Sequence, residues 1–185
     1  MINVGELRKG VGVEIDGNIY SVLEYQHIKM GRGGAQVRIK LRDLRTGAIF
    51  DRTFPASEKF ARIRVERHPV QYLYSDGDFY HFMDQQTFEQ RSLTRAILAD
   101  AVNYLKDGMH LDLTYYGDEP IGVELPLNVE LRVERTDPGF RGDTATGGTK
   151  PATTETGLVV NVPLFVNTGD VIRVDTRTGG YIERV

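Results

Sequence analysis

Apolar and polar residues alternate with a period of two along much of this chain. Between Gln36 and Arg42 the apolar Val37, Ile39 and Leu41 interleave with Arg38, Lys40 and Arg42. This is the pattern of a half-buried strand with a cationic outer face. The run before it, Ile19-Tyr20-Ser21-Val22-Leu23-Glu24-Tyr25, also reads as a strand. Between the two lies a basic, glycine-rich segment, His27-Ile28-Lys29-Met30-Gly31-Arg32-Gly33-Gly34-Ala35. Glycine accepts the backbone angles of a tight reversal, so the pattern predicts a hairpin with Arg32 at its apex. Asp16-Gly17 separates residues 11–15 from 19–22, and Thr46-Gly47 separates 37–44 from 48–54, which predicts two more hairpins.

Near residue 65 the texture changes to an aromatic series, Tyr72, Tyr74, Phe79, Tyr80 and Phe82, interrupted by the turn Ser75-Asp76-Gly77-Asp78. Tyr72, Tyr74 and Phe82 read as core. Residues 84–103 are the best helical stretch, continuous or broken, with Phe88, Leu93, Ile97 and Leu98 as its apolar positions. Alternation returns from Val123 to Val133, with Pro126 as a junction, and resumes at residues 158–166 and 171–175. Short strands with turn clusters between them predict an all-β chain of three small β-barrel modules, at residues 1–65, 66–127 and 128–185. Arg-Val-Glu-Arg occurs at 64–67 and again at 132–135, near both cuts. Modules of this size are marginal alone, so they are expected to pack against one another at their junctions.

Charge sharpens this division. The net charge of -3 hides a balance of +5 in residues 1–65, -7 in 66–127 and -1 in 128–185. The amino-terminal third therefore suits a polyanion and the middle third does not. Hydrophobic residues make up 40% of the chain, enough for packed cores, and no apolar run is long enough to span a bilayer. The first residues, Met1-Ile2-Asn3-Val4-Gly5-Glu6, lack the basic-then-apolar pattern of a secretory signal. The absence of cysteine excludes disulfides, thiolate metal sites and cysteine nucleophiles and fits a cytoplasmic protein.

Catalytic and cofactor patterns are missing. His27, His68, His81 and His110 are scattered without metal-ligand spacing, and His81 reads as structural. Gly31-Arg32-Gly33-Gly34 lacks the lysine-serine/threonine ending of a nucleotide-phosphate loop, and no helix follows it. No serine sits beside a base pattern, and the carboxylates of the middle third read as a solvated face. The expectation is a binding protein without metal or cofactor.

Several blocks resemble the bacterial elongation factor P family nearly end to end. They are Gly31-Arg32-Gly33-Gly34-Ala35, Arg141-Gly142-Asp143-Thr144, Lys150-Pro151-Ala152-Thr153-Thr154-Glu155-Thr156-Gly157, Val162-Pro163-Leu164-Phe165-Val166, and Val174-Asp175-Thr176-Arg177-Thr178-Gly179-Gly180-Tyr181. The resemblance implies an SH3-like (KOW-type) barrel followed by two OB-fold barrels in an L-shaped, tRNA-like outline. It also implies a monomeric factor that binds both ribosomal subunits and rRNA beside peptidyl-tRNA and relieves stalling at consecutive prolines. By that likeness Arg32, supported by Lys29, Gly31, Gly33 and Gly34, touches the tRNA acceptor end in the peptidyl-transferase centre. Gly142, Asp143 and Thr144 approach the exit-site codon, and Tyr181 and Arg184 contact peptidyl-tRNA. Many members carry a modified lysine at the tip; an arginine there occurs in a branch that a glycosyltransferase rhamnosylates, in unmodified members and in an elongation-factor-P-like paralogue. A generic OB-fold nucleic-acid binder is the rival reading; it needs exposed stacking aromatics, whereas here they concentrate in the acidic middle third.

Overall fold

Asp16 and Gly17 both take left-handed backbone angles, with φ of 52° and 79°, and the chain reverses there between β2 (Gly12–Ile15) and β3 (Asn18–Lys29). Gly47, at φ 76°, does the same between β4 (Ala35–Asp43) and β5 (Ile49–Pro55). In that turn the Asp43 carboxylate accepts hydrogen bonds from the N–H groups of Arg45 and Thr46 at 2.8 and 2.9 Å. With β1 (Ile2–Asn3) and β6 (Lys59–Arg62) these strands form one antiparallel sheet in the order β1-β6-β2-β3-β4-β5. Its inner face buries Val13, Val22, Val37, Ile39 and Leu41 almost completely. The computed structural model describes residues 1–29, 31–139 and 148–185.

A second sheet contains β7 (Glu66–Ser75), β8 (Phe79–Asp84), β9 (Gln90–Thr94), β10 (His110–Tyr116) and β11 (Glu119–Glu124). A third contains β12 (Asn128–Thr136), β13 (Thr149–Thr154), β14 (Val159–Pro163), β15 (Val171–Asp175) and β16 (Tyr181–Arg184). Numbered within each sheet, both have the order 3-2-1-4-5, the strand arrangement of the OB fold. In each the first strand changes register part-way, between Tyr72 and Tyr74 and between Val133 and Arg135. A bulge of this kind bends a strand so that it pairs with different neighbours on its two sides. The all-β expectation is borne out, and among the described residues no helix is long and apolar enough to cross a membrane.

The predicted helix at 84–103 is corrected. Asp84 ends β8, and its carboxylate accepts hydrogen bonds from the N–H groups of Gln86 and Thr87 at 2.7 and 2.9 Å, which a helix would have used otherwise. Phe88 follows in a left-handed conformation, 69% exposed, and the chain returns as β9. Only residues after Thr94 coil, as α1 (Arg95–Leu98) and a 3-10 segment, Ala99–Tyr104. Tyr74 is corrected too: it is half exposed and lies against the His81 ring, while Tyr72 and Phe82 are buried. The second Arg-Val-Glu-Arg does not mark a boundary; it lies inside β12, with Arg132 paired to Val171.

Two joints connect the sheets. Ile19 and Ile63 of the first unit bury against Ile121 of the second, with Leu44 and Tyr116 around them. The Tyr116 hydroxyl donates to Glu14 at 3.2 Å, and Arg45 forms a two-pronged ion pair with Glu119 at 2.8 and 3.2 Å. Between the second and third units, Tyr104 enters the core formed by Val129, Leu131, Val162 and Ile172. The Thr156 hydroxyl donates to the Asn103 carbonyl, and the Thr176 hydroxyl to that of Pro126, each at 2.5 Å.

Candidate nucleic-acid interface

The hairpin β3–β4 is the feature that the sequence singled out, and its pairing fixes what it presents. Tyr25 faces Ile39, His27 faces Val37, and Lys29 faces Ala35 across the two strands. The register shift between Val22 and Glu24 restores parity, so that Val22 and then Tyr25 both lie on the core face. β5 supports the hairpin from the other side as far as Gln36, paired with Pro55, and the Ala56 N–H donates to the Ala35 carbonyl at 2.9 Å. Beyond Ala35 the finger leaves its supports. At about 3.3 Å per residue, Arg32 stands at most about 17 Å past Val37, the last fully buried position.

Gly31, Arg32, Gly33, Gly34 and Ala35 are all exposed. Gly34 has φ 81°, a conformation that costs any other residue strain, so it sets the return of the chain into β4. A side chain added at Gly31 or Gly33 would meet nothing within 4 Å. These glycines are therefore not demanded by packing within this chain, and their bareness leaves room for a partner to approach the backbone closely.

The cationic outer face of β4 is corrected. Arg38 is paired with Asp51 at 2.8 Å on β5, and Lys40 with Glu24 at 3.2 Å on β3. Arg42 turns to the second unit, where its guanidinium donates to the carbonyls of Ala96 and Ile97 at 3.0 and 3.4 Å. Burial lowers its pKa from the ordinary arginine value, partly offset by Asp100. Three of the four arginines and lysines between Arg32 and Arg42 are thus neutralised or used internally, and the apex cation stands apart from them. Arg42 and Gly47, both set against Ala96, are contributors to the joint that sequence reasoning missed. Their partners are about fifty residues away in the chain, and no local pattern announces them.

Other predicted residues lie elsewhere. Tyr181 packs against the third core at the start of β16. Arg184, near the end of that strand, pairs with Asp170 at 3.5 Å, and its guanidinium lies 5.1 Å from the centre of the Phe165 ring. Gly142, Asp143 and Thr144 fall outside the described residues. Among the described residues no hydrogen bond, ion pair or aromatic contact connects the hairpin apex to Tyr181 or Arg184. One expectation about chemistry is also corrected: a serine does sit beside a base. The β8–β9 register sets Ser92 against His81, with Oγ 2.8 Å from Nδ1, while Nε2 lies 2.9 Å from Asp76. Asp76 also caps its own turn through the N–H groups of Asp78 and Phe79, so this chain of bonds ties the β7–β8 turn to β9.

Residues 3–60 match the family model of the elongation factor P (EF-P) KOW-like domain, 65–123 that of the EF-P OB domain and 129–184 that of the elongation factor P C-terminal domain. The chain is 56% identical to elongation factor P of Moorella thermoacetica over 184 residues, covering all of both chains. It is 54% identical to elongation factor P of Pelotomaculum thermopropionicum over 185 residues, again covering all of both. The chain belongs to the elongation factor P family. Among solved structures it is similar to a eukaryotic translation initiation factor 5A from Methanococcus jannaschii, with 26% identity and a TM-score of 0.48 over 66% of this chain and 90% of that one. Family membership makes this chain a translation elongation factor, and the elongation factor P domains follow the three sheets in order.

Proposed function

We propose that this factor binds the ribosome, across both subunits, beside peptidyl-tRNA and promotes peptide-bond formation where consecutive prolines stall it. The observation that carries the reading is Arg32, exposed at the apex of a glycine-bordered finger that projects from a braced sheet. Proline's ring fixes its backbone and holds a Pro-Pro nascent chain away from the geometry of attack. The reaction belongs to RNA, so the protein helps by alignment, a class of effect that reaches about 7–11 kcal/mol in model reactions. Arg32 donates charge-assisted hydrogen bonds to the RNA backbone at the acceptor end, with Lys29 and the backbone of Gly31, Gly33 and Gly34 completing the contact.

The same reading assigns Gly142, Asp143 and Thr144 to the exit-site codon and Tyr181 and Arg184 to peptidyl-tRNA. It places the factor in the cytoplasm as a monomer, in three modules at residues 1–65, 66–127 and 128–185 with a tRNA-like L outline. Arg32 is the position for rhamnosylation by a glycosyltransferase, and intact-mass analysis of the native protein tests that directly. The generic OB-fold reading is disfavoured because Tyr72 and Phe82 are buried, and the aromatics of the middle third that stay exposed, Tyr74, Phe79 and Phe88, stand among its excess of carboxylates.

The test is Arg32→Ala in a reconstituted translation system. A lost charge-assisted hydrogen bond, about 1.5–3 kcal/mol, lowers the rate of polyproline synthesis about 10- to 100-fold. The thermal midpoint stays where it was, because the side chain buries nothing. Undiminished polyproline synthesis overturns the proposal.

A further inference from the structure

Below the apex, the same hairpin holds a second group that is oriented rather than merely exposed. Tyr25 and His27 are two residues apart on β3 and share the face lined by their partners Ile39 and Val37. Tyr25 packs against the first core, whereas His27, at the rim where the sheet emerges, is exposed. Their rings meet edge to face, with centroids 4.9 Å apart and planes at 84°, and the Tyr25 hydroxyl is hydrogen-bonded to His27 Nε2. Anchored on one side in the core, Tyr25 thus fixes both the position and the rotation of an exposed imidazole.

The bond also selects a tautomer. A neutral imidazole carries hydrogen on one nitrogen and a lone pair on the other. A phenol is the stronger acid of the two partners and donates into the lone pair, which makes Nε2 the acceptor and leaves the hydrogen on Nδ1. Among the described residues no group meets Nδ1. A defined N–H donor therefore stands on the finger between the core and the apex. Five residues of chain separate His27 from Arg32, at most about 17 Å at 3.3 Å per residue. A single strand of RNA laid along the hairpin reaches both.

We propose that His27 is a second nucleic-acid contact of this hairpin, donating from Nδ1 to a phosphate or ribose oxygen of the acceptor end, with Tyr25 as its positioning residue. The inference rests on the reading of the hairpin given above. It explains why an exposed histidine is held by a core-anchored tyrosine: a donor fixed in advance loses less freedom when it binds.

Two measurements test it, one of them independent of the ribosome. Long-range nitrogen–proton NMR of the intact chain should report the Nδ1–H tautomer at His27, and Tyr25→Phe should shift it toward Nε2–H. In reconstituted polyproline synthesis, His27→Ala should lower the rate about tenfold, the worth of one hydrogen bond to a charged acceptor, with an unchanged thermal midpoint. His27→Asn, whose amide N–H stands where Nδ1 stood, should recover most of the loss; a purely structural role would leave Asn and Ala equally impaired. An Nε2–H tautomer in the unaltered protein overturns the proposal, as does equal impairment of Asn and Ala. Full activity of His27→Ala while Arg32→Ala is defective overturns it alone. Full activity of both variants overturns the reading of the hairpin and this inference with it.

Discussion

Gly47 and Gly17 offer a controlled comparison of what the first joint is worth. Both sit in hairpin turns with nearly the same backbone, φ 76° and 79°. A methyl group at Gly17 would meet nothing within 4 Å, whereas one at Gly47 would lie 2.5 Å from the Ala96 carbonyl oxygen of the second unit. Gly17→Ala therefore costs left-handed strain alone, about 1–2 kcal/mol. Gly47→Ala costs the same strain and must also push α1 away, and α1 carries the carbonyls that Arg42 holds at 3.0 and 3.4 Å. Losing a hydrogen bond from a charged donor adds about 1.5–3 kcal/mol. For a chain of this size each kcal/mol moves the midpoint by about 2–4 °C, so Gly47→Ala should melt about 3–12 °C below Gly17→Ala. Scanning calorimetry of both variants beside the unaltered protein measures this. Equal midpoints would refute the claim that the turn and α1 are locked together.

Three further outcomes follow from buried or hydrogen-bonded groups. Tyr104→Ala empties a space in the third core and should cost about 3–5 kcal/mol in denaturant unfolding, while Tyr104→Phe stays close to the parent. The N–H groups of Thr87 and Gln86 hold the Asp84 carboxyl below its ordinary range, so its contribution is present above the unfolded carboxylate value and fades as pH falls through the folded one. Asp84→Asn should accordingly flatten the fall of the midpoint on acidification below about pH 4, and an unchanged slope would contradict this. Burial, helped by Asp107 and Tyr80, pushes the Tyr72 phenol up to about 12. Its contribution is complete below the unfolded phenol value of about 10 and lost as pH rises through the folded one. A late phenolate step in alkaline absorbance titration should therefore disappear in Tyr72→Phe.

The strands were legible because their cause is local. Val37, Ile39 and Leu41 alternate, and Asp16-Gly17 and Thr46-Gly47 supply the positive angles that a reversal needs. The helix at 84–103 was misread because apolar spacing cannot register what a single side chain does: Asp84 binds the amides of Gln86 and Thr87 and turns the chain back. The apex of the finger was visible as glycine around an arginine. The ion pairs of Arg38 and Lys40 were not, because they depend on which residue of β5 or β3 lies opposite, and register is set by the whole sheet. The joints were hidden for the same reason. Arg42 meets Ala96, Tyr116 meets Glu14 and Thr156 meets Asn103 across 53 to 102 residues of chain.

Those joints bear on the apex through geometry. β4 runs from Ala35, beside the finger's tip, to Asp43, beside the joint, and Arg42 clamps the joint end to α1. Eight steps of about 3.3 Å make this a lever of roughly 26 Å. A tilt of only about 2° at the clamp then displaces the tip by about 1 Å, an error that costs a positioned reaction about 100-fold. A tip that works by alignment therefore needs a stiff mounting more than it needs further contacts of its own. The isoleucine cluster of Ile19, Ile63 and Ile121 and the bonds of Arg42, Arg45 and Tyr116 supply that mounting. Loosening it should impair polyproline synthesis even though no residue of the finger is touched. Arg45→Ala combined with Tyr116→Phe, measured for midpoint and for polyproline rate, tests this: activity should fall much further than the loss of two exposed contacts lowers the midpoint. Full activity in the double variant would mean that the finger aims itself.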